Sequence, residues 1–91
     1  MNIDTLFAII QSRKEDPREG SYTSKLFLQG LPKIAKKVGE EGAEVVVAAL
    51  AQDDQRVIEE VADLTYHTLV LLAARGLTPK HILTELEKRH K

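Results

Sequence analysis

Two predicted helical segments of this chain are apolar on nearly every side. The first is the stretch Ala43 to Ala51, and the second reaches its most apolar part between Leu64 and Ala74. A helix that is apolar all round is buried all round, and a chain of 91 residues has too few other helices to surround two of them. The pattern therefore predicts a homodimer in which two central helical hairpins form a four-helix core. The alternative is a monomer with an exposed apolar patch.

Helix start and stop signals divide the chain into five predicted helices, which make one all-α domain spanning residues 1–91. The β-branched run Val45 to Val47 lies among helix formers, so it does not predict a strand. Glycines, prolines and capping residues separate the helices. The predicted helices run from Ile3 to Lys14, Tyr22 to Gln29, Pro32 to Ala51, Gln55 to Arg75, and from the Thr78 cap and Pro79 to Arg89.

The composition argues against several classes of protein. There is no cysteine, which excludes disulfides, thiolate metal sites and a cysteine nucleophile. Thirteen basic against fourteen acidic residues and an aromatic content of 4% give neither the charge nor the stacking surface expected for nucleic acid. No apolar stretch is long enough to span a bilayer, and Met1 to Asp4 shows no signal-peptide pattern. We therefore expect a cytoplasmic protein that binds neither nucleic acid nor membrane.

Four acidic residues interrupt the two apolar helices. Glu41 and Glu44 lie on the third predicted helix, and Glu60 and Asp63 lie on the fourth, each pair at i, i+3 spacing that places both members on one face. The short connection centred on Gln52 predicts an antiparallel hairpin, in which residues equidistant from the connection lie level. Glu41 is thus level with Asp63, and Glu44 with Glu60. The register predicts four carboxylates that meet between two helices.

Carboxylates that converge in apolar surroundings bind either protons or a cation, because burial and neighbouring negative charges both disfavour the ionised form. Oxygen ligands without any thiolate select a hard divalent cation, Mg²⁺ or Mn²⁺. Mg²⁺ held by carboxylates, with positions left for water and phosphate oxygens, is typical of phosphate chemistry. By contrast, Glu40 and Glu59 fit ordinary solvated positions.

A di-iron carboxylate site is a weaker alternative. Such sites use Glu-x-x-His pairs, whereas here Glu60 is followed by Asp63, and His67 comes a full turn later. His67 lies on the same helical stripe. It fits either a hydrogen bond to a carboxylate ligand or a hydrogen-bonded histidine in a subunit interface.

The acidic segments resemble a known signature. Lys37 to Glu44 (KVGEEGAE), followed by Glu59 to His67 (EEVADLTYH), is similar to the Glu-Glu-x-x-Glu … Glu-x-x-Asp pattern of the all-α nucleotide pyrophosphohydrolases, the MazG-like superfamily. Together with Gly20 to Leu26 (GSYTSKL), it resembles the phosphoribosyl-ATP pyrophosphatase family of histidine biosynthesis. The resemblance covers essentially the whole chain.

This resemblance implies an all-α dimer that hydrolyses phosphoribosyl-ATP to phosphoribosyl-AMP and pyrophosphate. It implies catalytic Mg²⁺ ligands at Glu41, Glu44, Glu60 and Asp63, with Glu40 as a holder of water or of a further metal ion. It also implies a functional link to phosphoribosyl-AMP cyclohydrolase, the next enzyme of the pathway. A carboxylate oxygen of the cluster can take the proton of the attacking water.

Basic and hydroxyl side chains are expected on the far side of the triphosphate. Lys37 lies one turn before Glu41, and Arg13 lies near the end of the first helix. The N-terminus of a helix with free N–H groups and hydroxyls can bind phosphate, and four candidates surround the start of the second helix. These are Ser21, Tyr22, Thr23 and Lys25. Each one alone also fits an ordinary cap or a solvated polar side chain.

Two other functions remain open on the sequence. One is a housecleaning pyrophosphatase of the same superfamily that acts on non-standard nucleoside triphosphates, which substrate turnover would distinguish. The other is a non-catalytic helical dimerisation module with solvated acids, which the lack of metal-dependent stabilisation would reveal.

Overall fold

The computed structural model describes residues 1–90, and over that range it contains five α-helices and no strand. The predicted all-α class is confirmed, and the helix ends differ from the predicted ones by at most one residue. Lys91, the last residue of the predicted domain, lies outside the described residues. The helices are α1 (Ile3–Glu15), α2 (Tyr22–Gln29), α3 (Leu31–Ala51), α4 (Asp54–Ala74) and α5 (Pro79–Arg89).

Side-chain caps begin several of these helices. At α1, the Asn2 side chain accepts a hydrogen bond from the Thr5 backbone N–H at 2.8 Å, and the Thr5 hydroxyl accepts one from the Asn2 N–H at 3.0 Å. Ser21 caps α2 by accepting from the Ser24 N–H at 3.1 Å. Asp53 caps α4 by accepting from the Arg56 N–H at 3.0 Å. These bonds satisfy backbone donors that the first turn of a helix leaves free.

Helices α3 and α4 form an antiparallel hairpin, and α1 and α2 lie against one half of it. We call this the covered half. Between α2 and α3, Gly30 has a φ of 94°, a left-handed conformation that glycine adopts without a Cβ penalty and that lets the two helices follow each other directly. The core of the chain is built from α1, α2, α3 and α4. Its buried residues are Ile10, Leu26, Ile34, Leu69, Val70, Leu72 and Ala73.

The other half of the hairpin, next to the α3–α4 connection, is not covered by the rest of the chain. We call it the bare half. Its large apolar side chains are exposed, with Leu50 at 83% and Val46 at 56% of their full surface. The remaining members are Val47, Ile58 and Val61. One chain therefore does not surround its two apolar helices.

Helix α5 packs against α1 and buries none of its residues. Among residues 1–90, no helix combines the length and the apolar character that crossing a membrane requires.

Candidate metal centre

Three carboxylates converge where the two long helices face each other. One oxygen atom from each of Glu41, Glu60 and Asp63 lies within 4.8 Å of the others. Helix α3 supplies Glu41, and α4 supplies the other two from one face, while the tight connection between the helices brings them level. Glu41 and Glu60 are buried, whereas Asp63 is exposed. The cluster thus has a buried floor and an open side.

Each buried carboxylate is held by a basic residue four positions earlier on its own helix. Lys37 Nζ lies 3.3 Å from Glu41 Oε1, and Arg56 Nη2 lies 2.6 Å from Glu60 Oε1. In both glutamates the second oxygen, Oε2, is buried without a hydrogen-bond partner. A buried carboxylate oxygen left unpaired is costly. A cation shared by these two oxygens would satisfy both, so the donor set fits a hard divalent ion.

Glu44 completes the cluster from its exposed side. The neighbouring carboxyl groups of Glu60 and Glu41, which can hydrogen-bond to a protonated Glu44, raise the pKa of Glu44 to about 7, and the negative charge of Glu41 adds to the effect. Two carboxyl groups can share a hydrogen bond only when one of them carries a proton. Without a cation, Glu44 therefore holds a proton at pH values below about 7. Among the described residues, the oxygens that converge within 4.8 Å include none from Glu44 or from the exposed Glu40.

Arg56 is the residue of this site that the sequence analysis does not identify. Besides Glu60, its guanidinium contacts Glu59 Oε1 through Nη1 at 2.6 Å. Glu59 is exposed as expected for a solvated residue, but it is ion-paired. The signal for Arg56 is its i, i+4 spacing to Glu60, which places the two side chains on the same face of the helix.

The start of α2 is tied to α4 by two neighbouring contacts. The Tyr22 hydroxyl lies 3.0 Å from His67 Nε2. The next residue, Thr23, forms a hydrogen bond through its hydroxyl with that of Tyr66. Because His67 lies one turn after Asp63, the first turn of α2 is held beside the carboxylate cluster.

The other predicted substrate-binding residues are placed differently. Ser21 serves as the cap of α2. Arg13 Nη1 donates to the Ser12 hydroxyl at 3.2 Å, and Lys25 is exposed in a surface groove with Arg18 and Ser21. Within residues 1–90, neither Arg13 nor Lys25 forms an ion pair with the cluster. Of the predicted basic residues, only Lys37 reaches a carboxylate of the site.

His67 is buried and uses both ring nitrogens. Nδ1 lies 2.8 Å from the backbone carbonyl oxygen of Asp63, and Nε2 contacts Tyr22. Of the two expected roles, the hydrogen bond to a carboxylate is not formed, since Nδ1 contacts the main chain of Asp63 instead of its side chain.

The chain resembles known proteins over nearly its whole length. The family model described as phosphoribosyl-ATP pyrophosphohydrolase matches residues 3–90. A protein of Sulfurisphaera tokodaii named phosphoribosyl-ATP pyrophosphatase is 51% identical over 89 residues, which cover 98% of this chain and 95% of that protein. A protein of the same name from Clostridium botulinum is 53% identical over 96% of this chain and 79% of that protein. Another from Lacticaseibacillus casei is 54% identical over 97% of this chain and 80% of that protein.

Proposed function

The chain belongs to the phosphoribosyl-ATP pyrophosphohydrolase family, and we propose that it hydrolyses the bond between the α- and β-phosphates of phosphoribosyl-ATP. The products are phosphoribosyl-AMP and pyrophosphate, which makes the reaction a step of histidine biosynthesis. The observation that carries the proposal is the pair of unpartnered buried oxygens, Oε2 of Glu41 and Oε2 of Glu60, beside Asp63. They supply the oxygen ligands that a phosphate-bond hydrolase needs for its cation.

Glu41, Glu60 and Asp63 would hold Mg²⁺, or alternatively Mn²⁺, with Glu44 as a fourth ligand and Glu40 at the exposed edge. When bound there, the ion supplies charge neutralisation for the triphosphate and activation of the attacking water. Lys37 and Arg56 each engage one oxygen of a buried glutamate and leave the other free. They therefore orient the ligands.

Side chains of the protein carry out the remaining steps of the proposed reaction. A carboxylate oxygen of the cluster that is not engaged by a cation accepts the proton of the attacking water. The phosphates extend toward the start of α2, where Ser21, Thr23 and Lys25 offer donors, and toward Arg13. The product phosphoribosyl-AMP is then available to a phosphoribosyl-AMP cyclohydrolase.

The bare half of the hairpin is the proposed dimer interface. Val46 and Leu50 on α3 and Ile58 on α4 expose apolar surface near the connection of the hairpin, and large exposed apolar patches on a monomer are uncommon. A second copy of the same hairpin would cover them and complete a four-helix core.

The direct test is hydrolysis of phosphoribosyl-ATP by the full chain with Mg²⁺ and with EDTA, with phosphoribosyl-AMP and pyrophosphate both quantified. We expect equal amounts of the two products and no turnover in EDTA. Preferential hydrolysis of non-standard nucleoside triphosphates would favour the housecleaning alternative. Absence of both turnover and Mg²⁺-dependent stabilisation would favour the dimerisation module.

A further inference from the structure

The hydrogen bonds of His67 have a defined direction. The Asp63 carbonyl oxygen can only accept, so His67 Nδ1, at 2.8 Å, carries a proton and donates it. In the neutral imidazole, Nε2 then has no proton and accepts. The partner of Nε2 is the Tyr22 hydroxyl at 3.0 Å, which must therefore donate. The hydrogen of the Tyr22 hydroxyl is thus committed to His67.

The buried His67 determines the direction of both hydrogen bonds. His67 is 5% exposed, and its ring meets that of Tyr66 edge-on with centroids 5.2 Å apart, which fixes its orientation. Tyr22 is about half exposed. Its side chain is therefore open to a ligand, and toward that ligand its phenol oxygen can accept a hydrogen bond but cannot donate one.

Tyr22 also lies on the side of the carboxylate cluster. Its ring stacks on Tyr66 at 6.5 Å. Through His67, its hydroxyl is linked to the backbone carbonyl oxygen of Asp63, whose carboxylate belongs to the cluster. An acceptor group therefore stands next to the residues proposed to act on the α-phosphate.

We propose that His67 is a positioning residue that presents Tyr22 as a hydrogen-bond acceptor for a ribose hydroxyl of the substrate. This inference rests on the proposed function. Ionised phosphate oxygens are acceptors, so they do not pair with a phenol oxygen that offers only lone pairs. Ribose hydroxyls are donors, and the ribose bonded to the α-phosphate is the nearest such group to the scissile bond. Tyr22 is then separated from the predicted phosphate-binding set and assigned to the nucleoside.

Two competitive inhibitors distinguish these roles in Tyr22→Phe at saturating Mg²⁺. ATP carries ribose hydroxyls, whereas inorganic tripolyphosphate carries only phosphate groups. Removal of one neutral hydrogen bond should weaken inhibition by ATP by about 2- to 10-fold and leave inhibition by tripolyphosphate unchanged. Equal weakening of both inhibitors, or no weakening of ATP, overturns the proposal.

Two substitutions of His67 separate positioning from packing. In His67→Asn the amide can still donate to the Asp63 carbonyl, but it no longer reaches Tyr22. In His67→Gln the longer amide can accept from Tyr22. We expect Tyr22→Phe and His67→Asn both to raise KM with kcat nearly unchanged, and His67→Gln to keep KM near the wild-type value. Equal losses in both variants, or a loss confined to kcat, would contradict the positioning role.

Two measurements do not require phosphoribosyl-ATP turnover. Calorimetric Mg²⁺ affinity without substrate is expected to be the same in wild type, Tyr22→Phe and His67→Asn, and a loss would assign His67 to the metal centre instead. Nitrogen-15 NMR of the wild-type protein should show the proton of the neutral His67 ring on Nδ1. If the proton is found on Nε2, the inference about His67 and Tyr22 is wrong, even if the chain hydrolyses phosphoribosyl-ATP. If the proton is found on Nδ1, the hydrogen-bond direction is supported, even if the chain does not hydrolyse that substrate.

Discussion

The two halves of the α3–α4 hairpin are made of similar apolar residues but have different surroundings. In the covered half, Ile34 and Val70 are fully enclosed by α1 and α2. In the bare half, Val46 and Leu50 have no such cover. The difference shows that an apolar pattern demands burial but does not say which polypeptide provides it. Here one chain has enough helix to cover only one half.

The carboxylate cluster also contains buried and exposed members. Glu41 and Glu60 are buried and each has a basic partner, whereas Glu44 and Asp63 are exposed and are not ion-paired within residues 1–90. Four acids that look equivalent along the sequence therefore have two different environments. The buried pair has its orientation fixed by the protein, and the exposed pair can adjust to a ligand.

The largest effect is expected from a charge in the covered half. Val70→Asp places an unpaired carboxylate where no water reaches, at a cost of several kcal/mol. That is comparable with the total stability of a small domain. We expect the far-ultraviolet circular dichroism of the helices to be lost at 25 °C. A cooperative thermal transition like that of wild type would show that the two halves do not differ as described.

The same substitution in the bare half should spare the fold and prevent assembly. Val46→Asp exposes its charge in a single chain but would bury it against a second copy. Sedimentation at micromolar concentration should give twice the chain mass for wild type and a single chain mass for the variant. Leu28→Asp, at an exposed apolar residue on α2, is the control and should keep the wild-type mass. A monomeric wild type would contradict the proposed dimer interface.

A third substitution tests the exposed side of the cluster. Asp63→Asn keeps the size of the side chain and removes the charge proposed to hold the cation. If one ligand contributes about 3 kcal/mol to the transition state, kcat falls by about 10²-fold. Lys25→Ala, which removes a phosphate contact proposed for both ground and transition states, should instead raise KM. Steady-state kinetics at two Mg²⁺ concentrations separate the two, and near-normal kcat in Asp63→Asn would contradict the proposed site.

The smallest effect concerns stability as a function of pH and Mg²⁺. The folded chain holds the Glu44 proton up to about pH 7, while an unfolded chain releases it near 4.5. Without metal, the free energy of unfolding therefore falls as pH rises through this range. Glu44→Gln should flatten this dependence and also abolish the rise in Tm that we expect Mg²⁺ to cause in wild type. Thermal melts between pH 5 and 8 give both results, and identical slopes in the two proteins would refute the assignment.

Local patterns were sufficient to predict the helices. Caps such as Ser21 and Asp53, together with the glycine and proline signals, determine each end from residues nearby in the chain. The pairing of Glu41 with α4 was also predictable, because a two-residue connection leaves little freedom in how the hairpin aligns. In both cases, the deciding interactions are short-range.

What the sequence did not predict depends on contacts between distant segments. The difference between the buried pair, Glu41 and Glu60, and the exposed pair, Glu44 and Asp63, depends on how α3 packs against α4. The bond between Tyr22 and His67 joins residues 45 positions apart, and no periodicity indicates it. Arg56 is the exception, because its i, i+4 spacing to Glu60 already indicates that the two side chains meet on one face of the helix.

All the acids of the cluster lie between residues 41 and 63, on the two arms of one hairpin. Contacts between residues so close in the sequence have a small loop-closure cost, so they form early in folding. We therefore expect the negative charges to meet in the folding transition state, before α1 docks. The refolding rate, and not only the stability, should then increase with Mg²⁺ or with falling pH, so that the proposed catalytic ion would also speed folding.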